Sequence, residues 1–189
     1  MEIQREPQSY KKVDNGNVSI WRYMDFTKLA FLLEKRALFF VRGDMLPDPF
    51  EGSFTIPNVE SRSARYKSLS EENIKGLSHS LKQGRKLIYV NCWYIGDHES
   101  AAMWKLYLKS NEGIAIKSTT KRLNECFDSA ADKRIITTGR VRYINYDLDQ
   151  IPEGNLLYPF FHKRMSFKHE NEYRAVITHV APEFVKEKK

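Results

Sequence analysis

The stretch KLIYVNCWYI, Lys86 to Ile95, decides the fold. It is long, nearly continuous in apolar character and rich in β-branched and aromatic residues. A strand apolar on both faces belongs in the middle of a sheet, where both faces are covered. The segments on either side then have to supply its neighbours and the layers above and below it.

Upstream, VSIWRYMDF places Ile20, Arg22 and Met24 in alternation with Trp21 and Tyr23, which predicts a short strand. Asp25 or Thr27 then opens a helix over FTKLAFLLEKR, where Phe26, Leu29, Ala30 and Leu33 fall on one face. ALFFVRG reads as a second strand, and DMLPDPFEG, with two prolines, as a loop. Residues 58–84 are polar and helical in pattern, with Ser70 and Asn73 as a cap and Gly84 as a stop, so they predict a loosely packed insert or lid.

Downstream, Asp97 is placed to cap a helix over HESAAMWKLYL, which is apolar nearly all round and so predicted to be buried or to line a pocket. EGIAIKST reads as a strand, TKRLNECFDSA as a helix, and RIITTGRVRYINYD as one strand with a bulge at Gly139. LLYPFFHKR reads as a short helix and EYRAVITHV as the last strand. The order lacks sustained β-α-β-α alternation, which disfavours a doubly wound sheet. The expectation is an α+β domain: a mixed, mainly antiparallel sheet of about six or seven strands with four or five helices. Residues 1–17 are expected to form a flexible arm and 18–189 a single domain.

Composition narrows the function classes. At 189 residues, 41% hydrophobic and 13% aromatic, the chain can bury a sizeable core. No apolar run approaches the roughly 20 residues that span a bilayer, so no membrane partner is expected. MEIQREPQSYKK lacks a hydrophobic signal region, and Cys92 and Cys126 have no zinc-ligand spacing, so a cytoplasmic protein with reduced thiols is expected. The net charge of +7 favours anionic partners: a nucleotide or other anionic small molecule, with nucleic acid as a further class. It leaves the oligomeric state open.

Phosphate-cradling and dinucleotide glycine motifs are absent, as are HExxH and GxSxG. Asp44, Asp48 and Glu51 could surround a magnesium ion, but two of them are turn formers beside prolines, and no metal is expected.

Three constellations remain. Arg22, next to Tyr23, sits in a strand that otherwise reads as buried, so it needs a partner or an anionic ligand. Trp93, Trp104 and Tyr107 are amphipathic aromatics flanking a strand-to-helix turn that carries His98, Glu99 and Ser100, a place suited to an anion or a polarised substrate. In SFKHENEYRAVI, Glu170 and Glu172 share a face if the strand already begins there, with Arg174 continuing it. Of the two, Glu172 leads into the strand and is the stronger candidate, while Glu170 is auxiliary or exposed.

The blocks WRYMDF, LFFVRGDMLPDPFEGSF, VNCWYIGDHESAAMWKLYLKSNEGIAI, GRVRYINY and HKRMSFKHENEYRAV together resemble the bacterial, phage-associated domain-of-unknown-function family DUF2971, from about Ile20 to His179. Members of that family often continue past the last strand, so this chain reads as a short member or as one lacking a C-terminal portion. The order of parts also resembles the ADP-ribosyltransferase layout. That resemblance implies Arg22 in the early basic place, Ser100 or Tyr107 in the middle place, and Glu172 in the late acidic place with Glu170 before it.

What it implies chemically is NAD as cofactor, its phosphates near Arg22 and its nicotinamide stacked on Trp93 or Trp104. Glu172 would stabilise the charge that develops as nicotinamide leaves, and Glu170 would orient or deprotonate the acceptor. Tyr23, Glu99 and Arg174 complete the implied site, in a phage-defence or toxin-like role. The competing classes are a nucleic-acid binder or nuclease using Arg140, Arg142, Lys163 and Arg164, and a non-catalytic interaction module.

Overall fold

The computed structural model describes residues 4–5, 17–108, 112–129 and 135–179. Among these, the strands in chain order are Gln4–Arg5 (β1), Ser19–Asp25 (β2), Val41–Arg42 (β3), Ile88–Ile95 (β4), Gly113–Thr119 (β5), Ile136–Arg140 (β6), Arg142–Ile144 (β7), His162–Arg164 (β8) and Glu172–Thr178 (β9). The α-helices are Phe26–Lys35 (α1), Ile56–Glu60 (α2), Arg62–Arg65 (α3), Glu71–Gly84 (α4), Ala101–Tyr107 (α5) and Thr120–Asp128 (α6).

The architecture is α+β. A seven-stranded sheet runs β1-β6-β9-β4-β2-β5, with β3 also pairing β4, and only the β1–β6 pair in it is parallel. A separate two-stranded parallel sheet joins β7 to β8. Within the expected N-terminal arm, Gln4–Arg5 pairs with β6, and the rest of residues 1–16 lies outside the described residues.

β4 is central, as its apolar run requires. It is bonded along its length to β9 and at its end to β2. Alternation sends Trp93 and Ile95, with Tyr173, Ala175 and Ile177 of β9, to one face, where they pack with Ile20 and with Leu123 and Phe127 of α6. Ile88, Val90 and Val176 go to the other face, under the 3₁₀ turn Tyr158–Phe161. Phe160 and Phe161 are each 1% exposed, which at ordinary transfer energies stabilises the fold by about 3 kcal/mol per ring.

Several local expectations give way to tertiary pairing. The strand read across residues 134–147 divides at Val141, whose amide donates to the Glu172 carbonyl, and the chain leaves the main sheet to pair with β8. Ser100, not Asp97, caps α5: its Oγ accepts from the Met103 amide at 3.4 Å, while the Asp97 carbonyl accepts from Lys117 Nζ. Met103 is the one buried residue of that helix. LLYPFFHKR is a 3₁₀ turn followed by a strand. ALFFVRG contributes only the two residues of β3. The insert is tied down at its start, where Asn58 is fully buried and exchanges hydrogen bonds with the backbone of Ile151. α4 has no buried residue.

Candidate functional site

The site is built on the end of β9 nearest its start. Lys168 to Glu170 close a 3₁₀ turn, and Asn171 then takes a left-handed conformation (φ 37°), which an asparagine tolerates better than most side chains. Asn171 is clamped to the end of β4: its Nδ2 donates to the Ile95 carbonyl and its own carbonyl accepts the Ile95 amide, both at 2.8 Å. The kink ends the turn and starts the strand. It therefore brings Glu170 and Glu172 together from two different elements rather than along one strand face.

Both carboxylates are buried, Glu170 at 5% exposure and Glu172 at 3%, which corrects the expectation that Glu170 is exposed. Lys163, from β8, lies between them, its Nζ 2.6 Å from Glu170 Oε2 and 2.9 Å from Glu172 Oε1. It also reaches Glu51 Oε1 at 3.1 Å. Arg174 donates from Nε to Glu172 Oε2 at 2.7 Å, from Nη2 to Glu172 Oε1 at 2.9 Å, from Nη1 to the Phe160 carbonyl at 2.9 Å, and from Nη2 to Glu51. Tyr143 accepts the Glu172 amide at its hydroxyl, at 2.9 Å.

The cluster holds three carboxylates, Glu51, Glu170 and Glu172, against two cations, Lys163 and Arg174. Burial of an uncompensated charge is expensive, so the group that ionises last is the one with the weakest cation support. That group is Glu170. Burial, together with a hydrogen bond to Glu172 and its charge, pushes Glu170 up to about 8, against the pull of Lys163. Burial alone would raise Glu172 too, but Arg174 and Lys163 hold it well below the usual carboxylate range. Burial would lower Lys163, and the three carboxylates outweigh it and hold the ammonium charged. With a proton on Glu170 the five groups are neutral in sum.

The register assigns the other predicted residues to faces. Tyr94 lies opposite Glu172 and Cys92 opposite Arg174, so these share the face of the charged cluster. Trp21 lies opposite Tyr94, so Tyr23 is on that face as well. Tyr23 makes edge-to-face contacts with Trp104 at 5.0 Å and Tyr94 at 6.3 Å, and its hydroxyl accepts the Ser100 amide at 2.7 Å. Trp104 donates from Nε1 to the exposed Glu99. Tyr107 is 36% exposed as a residue, yet burial, with the charges of Cys92, Glu172 and Glu170, pushes its hydroxyl well up. Tyr23, Trp104 and Tyr107 thus form an aromatic rim on the carboxylates' side of the sheet, with the Ser100 amide bonded to Tyr23.

Arg22 and Trp93 are on the opposite face. Arg22 lies where β2 diverges from β4: Nη1 donates to the Cys92 carbonyl at 3.1 Å, Nη2 to the Phe39 carbonyl at 3.2 Å, and the guanidinium sits 5.8 Å from the centre of the Trp93 ring. Trp93 is 4% exposed and donates to Asn91. The candidate set is therefore divided by the sheet. Asp44 pairs with Arg42, Asp48 with Arg164 and Glu51 with Arg174 and Lys163, so these three carboxylates face different cations. Among the described residues no group of His, Cys, Asp and Glu is placed to hold a metal ion, and no helix is long and apolar enough to cross a membrane. Lys163 and Arg164, read as phosphate contacts, are both engaged with carboxylates.

Glu51, Lys163 and Tyr143 are the cluster members read for other roles in sequence. Glu51 is separated from Arg174 by 123 positions, and no local spacing signals a contact of that range.

Compared with protein-family models, with curated proteins and with solved structures, the chain matches none.

Proposed function

We propose that the protein is a group-transfer enzyme acting on a base-bearing nucleotide, with Glu170 as the group that moves the proton. The observation that carries this is the unequal cation support of two buried carboxylates beside an aromatic rim: both meet Lys163, and of the two Glu172 also holds Arg174. A carboxyl near 8 is poised to exchange a proton around neutral pH, whereas a carboxylate locked between two cations is not. Both oxygens of Glu172 are already occupied, so its role is to fix the charge that sets Glu170.

The ADP-ribosyltransferase-like use of NAD, in a defence or toxin-like role, is the specific form of this reading, in keeping with the resemblance in the order of parts to the ADP-ribosyltransferase layout. The nicotinamide riboside end suits Tyr23, Trp104 and Tyr107, whose rings offer stacking and edge contacts. The diphosphate is less well served, because Lys163 and Arg174 are spent on carboxylates and Arg22 is on the other face. In this chemistry the C–N bond to nicotinamide breaks and nicotinamide leaves with the bonding electrons. The acceptor forms the new bond to the same carbon, and its proton passes to ionised Glu170.

The test is to follow nicotinamide release from NAD, with cell extract as acceptor, beside calorimetric binding. Glu170→Gln should retain binding heat and lose about a hundredfold in release. Absence of both NAD binding and nicotinamide release in the unaltered protein overturns the reading.

A further inference from the structure

A regular ladder between β9 and β4 would run one pair beyond Tyr94 and Glu172, to Ile95 opposite Asn171. Alternation makes that a hydrogen-bonded pair: the Glu172 carbonyl accepts the Val141 amide on the side away from β4, so Asn171 faces β4. One half of the exchange is made, the Asn171 carbonyl accepting the Ile95 amide at 2.8 Å. The backbone does not make the other half. The Asn171 backbone amide donates instead to the Lys168 carbonyl at 3.3 Å and closes the 3₁₀ turn. The side-chain Nδ2 takes its place on the Ile95 carbonyl, at 2.8 Å. The ladder keeps its last pair while the chain turns out of the strand.

Few side chains can do this. A φ of 37° is unfavourable for a residue with a Cβ, and asparagine is among the most tolerant. Glycine reaches the conformation as easily but has no donor, and an ionised aspartate presents only acceptors to the carbonyl. The turn decides where Glu170 goes. A continued ladder would carry it past Glu172 to a place opposite Gly96. Here Glu170 Oε2 lies 2.6 Å from Lys163 Nζ, which is itself 2.9 Å from Glu172 Oε1. Tyr143 pins the same junction from β7, its hydroxyl accepting the Glu172 amide.

We propose that Asn171 is a positioning residue for Glu170: its side-chain amide stands in for a backbone amide, ends β9 at Glu172 and so holds the two glutamates on one ammonium. This rests on the reading of Glu170 as the group that moves the proton, and adds what places it. The groups that face Glu170 are Lys163 of β8, Glu172 of β9 and the phenols of Tyr107 and Tyr143. Arg174, Glu51 and the Cys92 thiol surround Glu172 in turn. Asn171 carries no charge, so its effect on Glu170 comes through position.

The experiment is an NMR titration of the Glu170 side-chain carboxyl carbon in the full chain across pH 4 to 10, the signal being the one that vanishes in Glu170→Gln. In the unaltered protein the midpoint is expected near 8. Asn171→Gly keeps the backbone conformation and removes the donor. It should lower the midpoint by about one pH unit or more, as Glu170 moves off Glu172 toward water. Asn171→Ala should lower it at least as far, but it also strains φ and can unsettle the fold, so the decision rests on Asn171→Gly. Thr119→Ala removes the cap of α6 on the opposite face and controls for destabilisation alone; its midpoint should stay in place. A midpoint near 8 in the unaltered protein that is unchanged in Asn171→Gly, or that falls equally in Thr119→Ala, overturns the positioning role and leaves Glu170 its own. A midpoint at the ordinary glutamate value in the unaltered protein overturns the reading of Glu170 itself, and this inference with it.

Discussion

Glu170 and Glu172 share one ammonium. Lys163 Nζ lies 2.6 Å from the first and 2.9 Å from the second, yet only Glu172 has Arg174 as well. That one additional cation separates two chemically identical side chains into a carboxyl pushed up to about 8 and a carboxylate held ionised.

Neutral substitution should therefore affect them unequally. Glu170→Gln replaces a carboxyl that is already protonated near neutral pH, and should change stability by less than about 1 kcal/mol. Glu172→Gln leaves Arg174 and Lys163 short of charge in the interior and should cost about 3–5 kcal/mol. Urea unfolding at pH 7 measures both, and equal costs contradict the assignment.

Stability should fall as pH rises from about 4.5 to about 8, because across that window the folded chain holds a proton on Glu170 that the unfolded chain has released. The ceiling on this slope is about 1.4 kcal/mol per pH unit, and the curve levels off above 8. Glu172 acts in the opposite sense: its contribution is complete above the ordinary glutamate value and is lost as pH falls toward its depressed folded value. Unfolding curves across pH 4 to 9 for the unaltered chain and Glu170→Gln resolve the two, since only the first should show the neutral-range decline.

Catalysis, in the proposed reaction, should follow the ionised fraction of Glu170. Nicotinamide release should rise with pH through about 8 and then level off. A profile flat across that range removes Glu170 from the proton path.

Arg22→Met should cost about 1–3 kcal/mol, because the carbonyls of Cys92 and Phe39 both lose a donor where β2 parts from β4. Thermal unfolding measures it. If Arg22 instead serves only a ligand, the variant melts with the unaltered protein.

Two glycines should respond in opposite ways. At Gly52, φ is +72° and an added Cβ lands 2.4 Å from the Phe160 ring, so Gly52→Ala should destabilise by more than about 2 kcal/mol. At the end of α4, Gly84→Ala meets open space and should stabilise by up to about 1 kcal/mol. Paired denaturation curves decide both.

The sequence by itself determined what depends on local pattern. The apolar run at 88–95 placed β4 at the centre, alternation placed β2, β5 and β9, and Ser70 and Gly84 bounded α4. These follow from side-chain period and backbone preference, which act over a few residues. Glu172 and Arg174 were legible together for the same reason, whereas Glu170 reaches them from the 3₁₀ turn before the strand.

Only the tertiary structure decided which charges meet. Lys163 and Glu51 come to Glu172 from 9 and 121 positions away, and Arg22 and Trp93 fall on the face opposite Glu172 because the register of β2 on β4 puts them there. The roles of the two glutamates depend on that assembly. Ionisation in an interior is set by the sum of nearby charges and the loss of water, and both exist only once distant segments have packed.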